Sequence, residues 1–184
     1  MMKRLLFLIV AVCLAPDADA QPFMTESGHA EFTSSVPLHT FTGTSEQLAG
    51  MINLADSTVD FYVDLTTFDT GISKRDKDMR RTLNTDEYPF AEFYGKLVSP
   101  FDTSVSKAQP AIVEGEFTIH GITQKVKIEG TLQKTTEGLQ AEASWIVNLT
   151  DYDIEPPGIL FYRVDEEQKV KIKALLTPVE ESSL

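Results

Sequence analysis

Thr58-Val59-Asp60-Phe61-Tyr62-Val63-Asp64-Leu65 alternates strictly: Val59, Phe61, Val63 and Leu65 fall on one face, and Thr58, Asp60, Tyr62 and Asp64 on the other. Successive side chains of an extended chain point to opposite sides, so a repeat of two marks a strand with one buried and one solvated face. The pattern recurs downstream. Phe93 and Leu97 share a face with Ala91 and Gly95, and Val113, Phe117 and Ile119 share one with Ala111 and Gly115. Val126, Ile128 and Leu132 alternate with Lys125, Lys127, Glu129 and Thr131. Trp145 and Val147 align with Ala141 and Ala143, and Val170, Ile172, Ala174 and Leu176 alternate with Lys169, Lys171 and Lys173. Weaker strands are expected near Ala30 to Val36 and Leu48 to Leu54. With turn signals at His120-Gly121 and Glu137-Gly138 between them, the count is about eight strands. One apolar and one polar face per strand suits an all-β, antiparallel sheet closed on itself, a barrel without exposed edges.

Two segments break the alternation. Ser73 to Leu83 is polar except for Met79 and Leu83, four apart, and reads as a short surface helix with Ser73 as N-cap and Asp76 completing a loose capping box. Thr150 to Gly158 carries Pro156-Pro157-Gly158 and reads as a loop after one helical turn. The presumed inner faces mix large apolar residues with Ala91, Gly95, Gly115, Gly130, Ala141, Ala143 and Ala174. Small residues there serve either curvature, since barrels bend at glycine, or space for a ligand, since an eight-stranded barrel has barely room for one.

The chain of 184 residues is long enough for one domain with a real core, and its 42% hydrophobic content is that of a globular protein. A formal net charge of -12 argues against nucleic acid and against anionic membrane surfaces. Residues 1–20 read as a secretory signal. Lys3 and Arg4 precede the apolar run Leu5 to Leu14, and Ala18-Asp19-Ala20 fits a small-x-small cleavage pattern, with Gln21 as the first mature residue. That run is too short to span a bilayer, which takes about 20 residues. The expectation is a periplasmic or secreted domain over residues 21–184, without stable membrane insertion. Cys13 is the single cysteine. It lies in the leader, where lipidation is the rival reading, so the mature chain would have neither disulfide nor thiolate nucleophile.

No catalytic constellation stands out. His29, His39 and His120 form no metal-binding spacing, and no G-x-S-x-G occurs. His120 reads as a solvated turn residue. The mixed charges from Lys74 to Arg81 read as a solvated helix face or as a lid whose cations meet a headgroup.

Taken together, several motifs resemble the YceI-like family of bacterial exported proteins. Asp64-Leu65-Thr66-Thr67-Phe68-Asp69-Thr70-Gly71 leads into Lys74-Arg75-Asp76-Lys77-Asp78-Met79-Arg80, followed by Leu83, Tyr88-Pro89 and Phe93. Val113-Glu114-Gly115-Glu116-Phe117-Thr118-Ile119-His120-Gly121-Ile122-Thr123-Gln124-Lys125-Val126 then completes an ordered set over most of Gly28 to Thr177. The resemblance implies an elongated, antiparallel, lipocalin-like barrel whose lumen takes a long isoprenoid-type lipid or similar amphiphile, and it favours space over curvature on the inner faces. It further implies binding, sequestration or carriage with no catalysis, no cofactor beyond the lipid itself, an apolar lipid as partner, and a fold that allows a homodimer. The lumen wall is then expected from Phe61, Phe93, Phe117, Val126, Ala143, Trp145 and Ile172, and a headgroup-contacting mouth from His39, Phe41 and Arg80. The alternatives are a lipid-modifying enzyme using the same lumen, or a filled-core interaction or stress-response module.

Overall fold

Alternation of buried and exposed residues builds the sheet. β4 (Phe90–Leu97) is the purest case, with Ala91, Phe93, Gly95 and Leu97 buried and every residue between them exposed. The structure, a computed structural model, describes residues 21–36, 39–156, 158–159 and 162–179. The leader, Cys13 and the cleavage site therefore lie outside the described residues. The other strands are β1 (Phe23–Val36), β2 (His39–Asn53), β3 (Thr58–Asp64), β5 (Gln109–Ile119), β6 (Ile122–Lys134), β7 (Leu139–Asn148), a two-residue pair β8 (Gly158–Ile159) and β9 (Tyr162–Arg163), and β10 (Glu167–Pro178). β1 to β7 and β10 close into an antiparallel barrel in the order β1-β10-β7-β6-β5-β4-β3-β2.

β1 and β2 run much further than alternation alone indicates. Both change inner-face parity midway: Phe23 and Thr25 are buried at one end of β1, then Gly28, Ala30 and Ser34 at the other. The register between β1 and β2 shifts at Thr25/Gly28 and again at Gly28/Ala30. These bulges take up extra residues, bend the strands and hide the repeat.

The small inner residues divide between the two uses. Gly95 and Gly115 lie opposite one another on β4 and β5. A Cβ on Gly95 would strike the Glu114 carbonyl, and one on Gly115 would strike the Tyr94 carbonyl. These two permit close strand approach, and neither borders the open volume inside the barrel. Ala91, Ala111, Ala141 and Ala143 instead border open volume inside the barrel.

The ends of the barrel differ. At one end Phe23, Leu139 and Leu176 are wholly buried and Ile52 is 2% exposed, which makes a packed floor. The Lys134 ammonium lies 4.2 Å from the Phe23 ring centre and covers it from outside. At the other end sit α1 (Ser73–Thr82), the β5–β6 hairpin and a 3-10 turn at Leu149–Tyr152. The N-cap of α1 is Ile72, without a side-chain hydrogen bond, so Ser73 does not cap it. Asp76 is buried and turns back to accept from the Thr70 amide and hydroxyl at 3.0 and 2.5 Å, which ties the preceding loop to the helix.

Candidate functional site

β6 and β7 pair only over Gly130–Lys134 and Leu139–Ala143; towards the α1 end they part. The 3-10 turn fills the gap. Gln124 donates to the Asp151 carbonyl at 2.8 Å, and the Tyr152 ring meets Phe117 edge-on at 5.7 Å. His120 sits at the hairpin tip with φ +56° but is not a free turn residue. Its Nδ1 lies 3.0 Å from the Tyr152 carbonyl and its ring packs on Tyr88, so it pins the hairpin to the turn. Burial, and secondarily the Asp151 carboxylate, raise the Tyr152 phenol above its ordinary value.

Above the floor lies a cavity of about 810 Å³, within the range of sites that enclose one small-molecule ligand. Phe61, Phe93, Phe117, Ala143, Trp145 and Ile172 all border it. Val126 does not. It sits where β6 has left β7 and packs half-buried against core side chains. Phe32 meets Phe41 edge-on at 6.2 Å and Phe68 in a tilted pair at 5.6 Å near the α1 end, and Trp145 meets Phe117 at 5.9 Å.

The cavity's upper edge is α1. Met79 and Leu83 border the cavity, and Arg75, one helical turn before Met79, borders it with them. Arg80 is exposed and does not border the cavity. Lys74, Arg75 and Arg81 border the cavity instead, and the Arg75 guanidinium carbon stands 4.3 Å from the centre of the Phe41 ring. Arg75 also donates from Nε to the Thr70 hydroxyl at 2.8 Å and from Nη2 to the Thr70 carbonyl at 2.6 Å. Lys74 and Arg81 both bind Asp78, at 2.7 and 2.8 Å. The hydrogen bond from Lys74, helped by Arg81, holds the Asp78 carboxyl below its ordinary value. The His39 side chain lies outside the described residues.

Alternation also passed over two polar residues on the wall. Ser34 is 1% exposed and Gln168 7%; they face each other across β1 and β10 and both border the cavity. Gln168 donates to the Asp165 carbonyl at 2.6 Å. The even-numbered run Ala30, Phe32, Ser34 was the available signal, but a serine inside Thr33-Ser34-Ser35 reads as surface.

Among the described residues, the histidines and the carboxyls with shifted pKa values are placed as follows. His29 lies on the outer face beside Glu46 at 2.6 Å. Asp56, Asp78, Asp102 and Glu142 all have carboxyls lowered by hydrogen bonds, the opposite of what a general acid requires. Among the described residues no group of acidic, histidine or cysteine side chains could hold a metal ion, and no helix is long and apolar enough to cross a membrane.

A family model described as YceI-like domain matches residues 23–176. A UPF0312 protein of Vibrio parahaemolyticus is 29% identical over 143 residues, covering 70% of this chain and 73% of that protein. Among solved structures, a polyisoprenoid binding domain from Saccharophagus degradans, implicated in plant cell wall breakdown, matches with TM-score 0.72 at 17% identity, over 87% of this chain and 99% of that one. BcnA of Burkholderia cenocepacia matches with TM-score 0.66 at 13% identity, over 79% and 94%. The YCEI protein of Campylobacter jejuni gives 0.55 at 11%, over 98% and 100%. At these identities the structural likeness is one of fold.

Proposed function

This chain belongs to the YceI-like family, and from that premise we propose that its barrel sequesters or carries one long isoprenoid-type lipid or similar amphiphile, without catalysing a reaction on it. The observation that carries the reading is the roughly 810 Å³ cavity, floored at one end by Phe23, Leu139 and Leu176 and bordered above by α1. The apolar tail lies towards the floor and the polar end towards α1. Desolvation drives binding: each buried CH₂ contributes about 0.8 kcal/mol, so about ten of them suffice for micromolar affinity before the cost of association. The binding domain of Saccharophagus degradans, named for polyisoprenoids, supports this class of ligand. Export after cleavage at Ala20 fits a periplasmic or secreted carrier that shields such a lipid from water.

The enzyme reading finds little support in histidines held at the surface and at a hairpin tip, or in carboxyls shifted downwards. A filled-core module is hard to reconcile with the cavity. Mass spectrometry of an organic extract of the exported protein tests the proposal. One dominant long-chain species, near one per chain, is expected, with an intact protein mass beginning at Gln21. Protein purified without any lipid, and unable to take one up, would sink it.

A further inference from the structure

Outside the barrel, β3 and β4 present three aromatic rings to solvent: Tyr62 is 48% exposed, Phe90 41% and Tyr94 59%. Tyr62 lies opposite Glu92, and Phe90 and Tyr94 flank Glu92 on β4. The rings therefore surround one carboxylate, over about 14 Å along the strand and about 5 Å across it. Asp64 lies opposite Phe90 and Asp60 opposite Tyr94, so each end ring also has a carboxylate beside it. Asp64 and Phe90 stand where β3 passes into the connection to α1. The patch thus begins beside the mouth and runs down the outer wall.

Aromatic pairs across strands stabilise a sheet, and Tyr62 meets Phe90 edge-on at 5.8 Å in that way. Pairing does not account for Tyr94, the most exposed of the three, which meets no ring among the described residues. On its β2 side Tyr62 has only the small Ala49 opposite it. Single exposed apolar side chains are ordinary, whereas adjoining rings on one face mark a surface that another molecule covers. The charges around the rings say which kind of molecule. The outer faces of β3, β4 and β5 carry one cation, Lys96, whose Nζ is held by the Asp56 carbonyl at 3.1 Å and the Thr58 hydroxyl at 2.7 Å. On β5, Glu114 has Lys127 at 3.4 Å and Glu116 has Lys125 opposite it on β6. Asp60 and Glu92 have no hydrogen bond or ion pair among the described residues.

We propose that this outer β3–β4 face docks a basic segment of a partner protein, whose Lys or Arg side chains lie over Tyr62 and Tyr94 and pair with Asp60 and Glu92. The faces of aromatic rings and the carboxylates both attract cations. Rings and carboxylates alternate over a length that one small cation cannot cover, so a segment bearing several fits better. A second copy of this chain would bring the same carboxylates against themselves, in a protein of net charge -12. A neutral oligosaccharide could stack on the rings but would leave the repulsion between the carboxylates unrelieved. Docking here is independent of what the barrel holds.

The probes are a twelve-residue peptide of alternating arginine and threonine, its glutamate–threonine counterpart, and xylohexaose, each titrated into the ¹⁵N-labelled mature chain. The arginine peptide is expected to move the amides around Tyr62, Glu92 and Tyr94, and the glutamate peptide to move none. Tyr62→Ser with Tyr94→Ser keeps the charge and should weaken binding about fivefold or more. Asp60→Asn with Glu92→Gln should weaken it at least as much. Glu129→Gln with Glu137→Gln removes equal charge from exposed positions on β6 and the turn after it, and should change affinity by less than about twofold. Thermal midpoints near that of the parent show that each variant is folded. Equal weakening by the two charge variants, with shifts spread over the whole barrel, would reduce the effect to net charge and overturn the proposal. Xylohexaose moving these amides while the arginine peptide does not would make the rings a sugar platform and overturn the cationic partner. A parent that sediments as a dimer, beside a monomeric Tyr62/Tyr94 variant, would make the face a self-interface and overturn it too. So would the absence of a shift with every probe.

Discussion

The two ends of the barrel are built from the same strands but under different rules. β10 runs through both. At the floor its Leu176 is wholly buried opposite Leu139, while nearer α1 its Ile172 is half-buried and faces the cavity opposite Ala143. The floor is packed with large side chains and stabilises the fold. The α1 end keeps aromatic rings, open volume and two polar atoms, Ser34 Oγ and Trp145 Nε1, without a partner among the described residues, and gives up packing contacts to do so. A residue's contribution to stability is thus set by which end it faces rather than by its type.

The largest expected effect follows directly. Leu176→Ala removes a fully buried side chain from a close-packed region and should destabilise delipidated protein by about 2 to 5 kcal/mol, read from the urea midpoint. Ile172→Ala, four residues away on the same strand, borders existing empty space and makes fewer contacts. It should cost well under about 2 kcal/mol in the same measurement. Equal losses would mean that the cavity closes in solution and that the two ends do not differ.

Insertion sharpens the contrast from the other side. Ala174 is 2% exposed and Ala143 lines the cavity. Ala174→Phe should overpack and cost about 1 to 3 kcal/mol or more, whereas Ala143→Phe should change apo stability by less than about 1 kcal/mol while sharply reducing the lipid recovered on purification. A marked loss of apo stability in the Ala143 variant, with no lipid in the parent protein, would favour a solid barrel.

Legibility in the sequence also divides along the chain. β3, β4 and β5 were readable because each keeps one buried face from end to end, and the barrel class follows from them. β1 and β2 hid their length because bulges near Gly28 and Leu48 switch which residues face inward. Phe61, Phe93 and Trp145 could be placed on the wall by parity alone. Val126 has the right parity but sits where β6 leaves β7, a divergence set by the 3-10 turn and not by β6's own pattern. At the mouth, Arg80 was the expected cation. Yet spacing by four from Leu83 through Met79 leads to Arg75, so that signal was present. Ser34 is harder to see, since a small polar residue facing the lumen and one facing water look alike in one dimension.

The smallest expected effect concerns the stability of α1 itself, the element that borders the cavity. Lys74 and Arg81 bracket the Asp78 carboxylate, and the Lys74 hydrogen bond holds that carboxyl below its ordinary value. A lowered folded pKa means that the contribution of this group is fully present above the unfolded value, near pH 4, and is lost as pH falls through the folded value. Between pH 5 and 8, therefore, hydrogen exchange of the α1 amides should show no dependence on this group once intrinsic exchange rates are corrected. Below about pH 4 the helix should begin to open more often. Asp78→Asn should raise α1 exchange at neutral pH by the same small amount that acid does in the parent, and remove the acid dependence, a small effect because the pairs are exposed and well screened. Floor amides in β7 and β10 near Leu139 and Leu176 should stay protected throughout. If they loosened together with α1 below pH 4, the two ends would unfold as one unit, and the mouth could not open without loss of the floor.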